Sequence, residues 1–248
     1  MTSVSCPAPA SPPGLRWHLF DLVLIIFLAL LLVPGLVYAL LGHLGEKSWA
    51  VLAVTYAQEF SLALLTLGSL KYGYQVRAQI IGLERRDWPR QVGWGLLFGV
   101  GLVAINALGT ELGVALFRLL LPPPEFERIM GWEREALASF LPGRQPPLLL
   151  ALTFTLIVVV APFAEEVFFR GFSFTALRDR WGPAAALWGT AFLFALVHSY
   201  LIQFLPLFLV GAALAWQRRA GFSLLSCIVA HGVLNGVVFL LAVAFPAP

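Results

Sequence analysis

Three short polar patterns interrupt the apolar stretches of the C-terminal half. The first is Ala164-Glu165-Glu166-Val167-Phe168-Phe169-Arg170-Gly171. On a helix, Glu166 and Arg170 share a face in the better orientation for a carboxylate and a cation. Glu165 is rotated about 100° from its neighbour, so Arg170 can hold Glu166 while Glu165 looks into a different space. The second pattern sets Phe194 four residues before His198, and the third sets His231 four residues before Asn235. An aromatic beside an imidazole limits its rotamers, and a histidine next to an asparagine presents two adjacent hydrogen-bonding heads. A carboxylate partly removed from water is a competent base near neutral pH. Buried donors stabilise a developing oxyanion.

These residues stand in an expensive setting. The chain has 248 residues, 60% hydrophobic and 12% charged, against about 45–50% and about 25% for a soluble domain. Its apolar runs are long enough to cross a bilayer, where backbone groups must be satisfied internally. Each ionisable side chain there costs about 2.5–3.5 kcal/mol and needs a reason to be present. The fold class is therefore all-α, a polytopic transmembrane bundle of about seven helices (about six to eight). The expected spans are Leu19 to Leu41, Trp49 to Leu70, Val92 to Leu121, Leu148 to about Arg180, Pro183 to about Tyr200, Leu201 to Trp216 and Phe222 to Phe245.

Met1 to Gly14, rich in Pro, Ser and Ala and without charge, reads as a flexible tail, and the long first run reads as a retained membrane helix. Residues 15–147 form the N-terminal helices and loops, and residues 148–245 the core with the three patterns. Arg and Lys gather at Arg16, at Lys71 to Arg90, at Arg170 to Arg180 and at Arg218 and Arg219, which are alternate connectors. The positive-inside rule then places the N-terminus in the cytoplasm and the C-terminus outside a bacterial plasma membrane. With a net charge of +3 and no continuous basic stripe, the partners expected are the lipid bilayer and a membrane peptide or protein, not nucleic acid. Cys6 and Cys227 make no disulfide framework, and Cys227 reads as a small hydrophobe.

Convergence imposes a geometric requirement. If the fourth helix ended at Arg170, Glu165 would sit near the cytoplasmic surface and miss the histidines. The apolar residues after Gly171 argue that it continues toward Arg180. The fifth helix must be short or broken near residue 198, with the chain turning inside the protein; Pro206 suits such irregularity. Non-helical backbone at that depth is tolerated where it lines protein or a wet cavity.

In order and setting, Glu165-Glu166-x-x-x-Arg170, Phe194-x-x-x-His198 and His231-x-x-x-Asn235 resemble the CPBP family of intramembrane proteases. That family includes the CAAX-prenyl endopeptidases and the bacterial Abi proteins. The resemblance covers about the last hundred residues and implies peptide-bond cleavage in or near the membrane. It implies that Glu165 acts as general base on a water with help from His198, that His231 and Asn235 stabilise the oxyanion, and that Glu166, Arg170 and Phe194 support the site. The family has long been labelled metalloprotease, and Glu165, His198 and His231 are the residues zinc would take, with Glu166 as base. Without an HExxH pair, and with Asn235 better suited to an oxyanion, direct water activation without a cofactor is favoured.

Bland readings stand beside these. Glu165, Glu166 and Arg170 could form a buried ion pair that fixes packing, and His198 a satisfied core histidine. Gln58, Glu59, Asn106 and Glu111 read as interhelical hydrogen-bonding groups. Gly95 and Gly99 read as a close-packing face, and Arg118 as a snorkelling helix-end cation. Pro122 to Pro147 reads as a surface connector before an amphipathic cover. The rival functions are a proton-coupled transporter and a catalytically silent immunity or scaffold protein of the same fold.

Overall fold

Backbone amides in a bilayer find no water, so each apolar run satisfies them along its own helix. The computed structural model describes residues 17–41, 47–76, 79–83, 87–138 and 146–245, and among them all regular structure is helical. The expected tail Met1 to Gly14, with Cys6, and the basic residues Arg16, Arg77, Arg85 and Arg86 lie outside the described residues. The helices are α1 (Leu19–Leu41), α2 (Ser48–Gly73), α3 (Trp88–Leu120), α4 (Pro123–Ala138), α5 (residues 147–181), α6 (residues 183–197), α7 (Phe204–Arg219) and α8 (Leu224–Ala244). Five stretches, with α5 and α6 taken as one, are long and apolar enough to cross a membrane. Leucines such as Leu97, Leu108 and Leu119 point outward on α3, as a lipid-facing surface requires. The protein is an integral membrane helical bundle.

The long fourth helix and short fifth helix are both present. α5 runs past Arg170 to the break at Gly182, where φ is 87°, a conformation glycine adopts without steric cost. Pro183 then starts α6 with its φ preset. α6 ends at Val197, slightly earlier than the expected Tyr200, and Ser199 turns the chain with a φ of 58°. α7 begins at Phe204 and not at Leu201. With 16 residues it is about 24 Å long, shorter than the hydrocarbon core.

Glycines set how close the helices lie. A Cβ on Gly95 would sit 2.6 Å from the Val229 Cβ, and one on Gly99 would sit 2.5 Å from the Val233 Cβ. The same stripe continues to Gly109 and Gly113, whose Cβ atoms would fall 2.8 Å from the Pro206 Cα and 2.7 Å from the Ile202 carbonyl oxygen. α3 is thereby seated against both α8 and the start of α7. Cys227 is buried in the apolar cluster with Leu102, Val210 and Leu214, as a small hydrophobe would be.

Two expectations need correction. Pro122 to Pro147 is no plain connector, because α4 occupies its first half with Phe126, Met130 and Glu133 turned inward and its other charges outward. The four polar residues read as interhelical bonders behave differently. Gln58 donates to its own neighbour Glu59 at 3.2 Å, Glu111 is exposed, and Asn106 lines a cavity.

The N-terminal end is clasped onto α5. Trp17 donates to the Asp179 carboxylate at 2.8 Å and packs its ring edge against Phe172. The Tyr74 hydroxyl donates to Asp21 and accepts the His18 amide. Burial, then the Asp21 bond, pushes this hydroxyl up to about 12.

Gly99→Ala should lower stability by about 1–3 kcal/mol through overpacking, read as a lower melting temperature in detergent. Gly101→Ala, which meets no atom within 4 Å, should be neutral.

Candidate active site

Glu165 and Glu166 lie between two stretches of wider π-helical turn, Leu156–Val160 and Val167–Ser173. Such turns recur at functional sites because they shift which faces a helix presents. Pro162 adds a second local effect. The Ala161 amide bonds back to the Leu156 carbonyl, and Pro162 has no N–H to give, so the Ile157 carbonyl loses its helical donor. Asn235 supplies one, its Nδ2 donating to the Ile157 oxygen at 2.9 Å. Gly232 permits this approach, since a Cβ there would meet the Val158 carbonyl oxygen at 2.8 Å.

Glu166 and Arg170 are both fully buried and form the expected pair, Nη1 to Oε1 at 2.9 Å. The pair reaches two other helices. Arg170 Nη2 donates to the Gly211 carbonyl of α7 at 3.0 Å, and Glu166 Oε1 meets His231 Nδ1 of α8 at 3.0 Å. Phe194 of α6 lies under the guanidinium, 4.7 Å from ring centre to Cζ. Thus α5, α6 and α7 meet at one buried cation, and α8 joins them through Glu166.

His231 then presents Nε2 toward Glu165, 3.9 Å from Oε2. Since Nδ1 faces a carboxylate acceptor, it carries a hydrogen, and Nε2 is the atom turned to Glu165. His198 bonds through Nδ1 to the Phe194 carbonyl oxygen at 2.6 Å. That carbonyl only accepts, so Nδ1 is again the protonated atom and Nε2 is free for a further partner. The Phe194 ring sits 4.7 Å from the His198 ring and 5.8 Å from the His231 ring. It orients both.

Glu165, His198, Phe194, His231 and Asn235 all border one cavity of about 400 Å³, together with Asn106 and Gln203. Its remaining wall is largely apolar, including Leu207, Val210 and Phe239. Glu165, His198, Tyr200 and Asn235 also border a second cavity of about 390 Å³ on the side of α2. The polar end there is Thr55, Gln58 and Glu59. Glu59 is buried, and both its Oε2 and that of Glu165 lack a hydrogen-bond partner among the described residues. Glu165 therefore borders both cavities.

The structure brings the named residues to one place with unequal contacts. Glu165 Oε2 lies 3.9 Å from His231 Nε2, and Glu165 shares both cavities with His198. Glu59 as a cavity carboxylate, the role of Pro162 and the contribution of α4 were not read from the sequence. Pro162 in an apolar helix was a usable signal for a freed carbonyl. Among the described residues, no three His, Cys, Asp or Glu side chains converge as a metal-ligand group.

Residues 147–237 match the family described as type II CAAX prenyl endopeptidase Rce1-like. No curated protein and no solved structure matches the chain.

A buried ion pair broken on one side costs about 3–5 kcal/mol. Arg170→Met should therefore destabilise strongly in thermal unfolding, and adding Glu166→Gln should recover part of the loss. Strictly additive losses would show that the two charges do not act as a unit.

Proposed function

We propose that this chain, a membrane protein of the CAAX-protease family by its Rce1-like segment, is an intramembrane endopeptidase that activates water with Glu165. The observation that carries this reading is a carboxylate on the wall of a cavity shared with two imidazoles and a carboxamide. Hydrolysis needs a base, a held water and donors for an oxyanion. Each has a candidate here.

Water stands between Glu165 and the Nε2 lone pair of His198. As its oxygen attacks the scissile carbonyl carbon, one proton passes to Glu165. The carbonyl oxygen becomes an oxyanion. Asn235 has spent one N–H on Ile157 and retains the other for that oxygen. His231 joins as a second donor when Nε2 carries a proton. Collapse of the tetrahedral species breaks the C–N bond, and Glu165 returns its proton to the leaving amine. Glu166 and Arg170 never touch the reacting atoms; they hold His231 and the helices around it.

The apolar wall of the first cavity suits a membrane-associated peptide segment. The second cavity, ending in Thr55, Gln58 and Glu59, suits delivery of water to Glu165. The family's description names a CAAX prenyl endopeptidase. For this chain the substrate class we favour is a short membrane-linked peptide, a bacteriocin or pheromone leader, or a membrane-protein tail.

Purified protein incubated with a membrane-peptide library and read by mass spectrometry tests the assignment. Glu165→Ala should reduce cleavage to background, and Asn235→Ala should slow it by about 10²–10³-fold, the scale of losing one oxyanion donor. Glu111→Gln, on an exposed face, should cleave normally. Equal processing by wild type and Glu165→Ala would end the proposal. After metal stripping with a strong chelator, cleavage should persist; activity recovered only on adding zinc would overturn direct water activation.

A further inference from the structure

We propose that Glu133, on the helix before the Rce1-like segment, is a positioning residue for His198: its carboxylate clamps the turn between α6 and α7 that follows the histidine. The inference rests on the peptidase reading for its catalytic meaning and on geometry for everything else.

The turn from His198 to Gln203 leaves both helical ladders. Its amides at Leu201, Ile202 and Gln203 lie between the ends of α6 and α7, and Ile202 is fully buried. Glu133 takes all three. Oε1 accepts Leu201 N–H at 2.6 Å and Ile202 N–H at 2.8 Å, while Oε2 accepts Gln203 N–H at 3.2 Å. Such bonds to a carboxylate are roughly twice as strong as neutral ones. The carboxylate also meets the positive end of the α7 dipole. It is only 2% exposed, so the clamp is not softened by solvent.

Apolar contacts seat the clamp. Phe126 and Met130, on the same face of α4 as Glu133, pack on fully buried Ile202. Trp132 lies 6.2 Å from the Tyr200 ring. On its other side Ile202 abuts Gly113 of α3. The turn is held between α4 and α3, and Tyr200 and Gln203 within it line the same cavity as His198.

His198 is thus pinned at two points. Its ring is held through Nδ1 by Phe194, and the backbone that follows is held by Glu133. Ser199, with its φ of 58°, is a conformation a non-glycine residue keeps only when the surroundings impose it. Releasing the carboxylate lets the turn relax and moves the free Nε2 relative to Glu165.

The test uses the full chain in nanodiscs with isotopically labelled histidine, reading ring resonances and amide hydrogen exchange. Glu133→Ala should accelerate exchange at Leu201 to Gln203 by at least about tenfold and shift or split the His198 ring signal, leaving His231 in place. Glu133→Gln, which keeps an acceptor oxygen, should give a smaller change in the same direction. Unchanged His198 and turn exchange in Glu133→Ala would overturn the inference, as would equal displacement of His198 and His231. If the alanine variant does not fold, Glu133→Gln decides: a His198-specific shift supports the clamp, and wild-type signals sink it. Neither readout needs a substrate, so failure here is distinguishable from absence of peptidase activity.

Discussion

A guanidinium with no exposed surface has to find every partner inside the protein, and Arg170 organises the core by that need. It pairs with Glu166, reaches the Gly211 carbonyl and lies over Phe194. Through Glu166 the pairing extends to His231. Four helices therefore meet where charge is most costly, and the cost is offset only if all of them keep register. The polar cluster is a brace in its own right. This explains why Glu165, one residue away but rotated out of the pair, is left facing a cavity.

Around the brace, irregular backbone does the positioning. Beside the π-helical stretches that flank Glu165, the proline that frees the Ile157 carbonyl and the turn after His198 each leave backbone groups without a helical partner. Side chains from other helices complete them, Asn235 at Ile157 and Glu133 at the turn. In a bilayer such completion is close to obligatory. A local departure from helicity in one element is thus tied to one particular residue in another. The glycines of α3 provide the tolerance, because their missing Cβ atoms let α8 and the start of α7 approach closely enough for these contacts.

On the proposed peptidase reading, the two cavities divide the polar demands of hydrolysis in space. One has an apolar wall formed by α7 and α8, and the other ends in Gln58 and Glu59 of α2. Glu165 borders both. A peptide and a water approaching from different sides would meet at that carboxylate, an arrangement suited to hydrolysis inside an apolar medium.

Much was legible in the amino-acid order because the relevant rules are local. Twenty-residue apolar runs dictate helices, a spacing of four dictates a shared face, and the cost of a buried charge marks Glu166 and Arg170 as a pair. Even the long α5 and short α6 followed from requiring three polar patterns to share a depth. The hidden part depends on contacts far apart in the chain. Glu59 looked like a helix-pairing group until its helix proved to face Glu165 across a cavity. Pro122 to Pro147 looked like a connector, since nothing in a run of mixed charge reveals that one carboxylate, Glu133, will be folded inward to satisfy amides about seventy residues later. Periodicity determines which residues share a face. Only packing decides which faces meet, because that choice is made by the whole set of burial and hydrogen-bond demands at once.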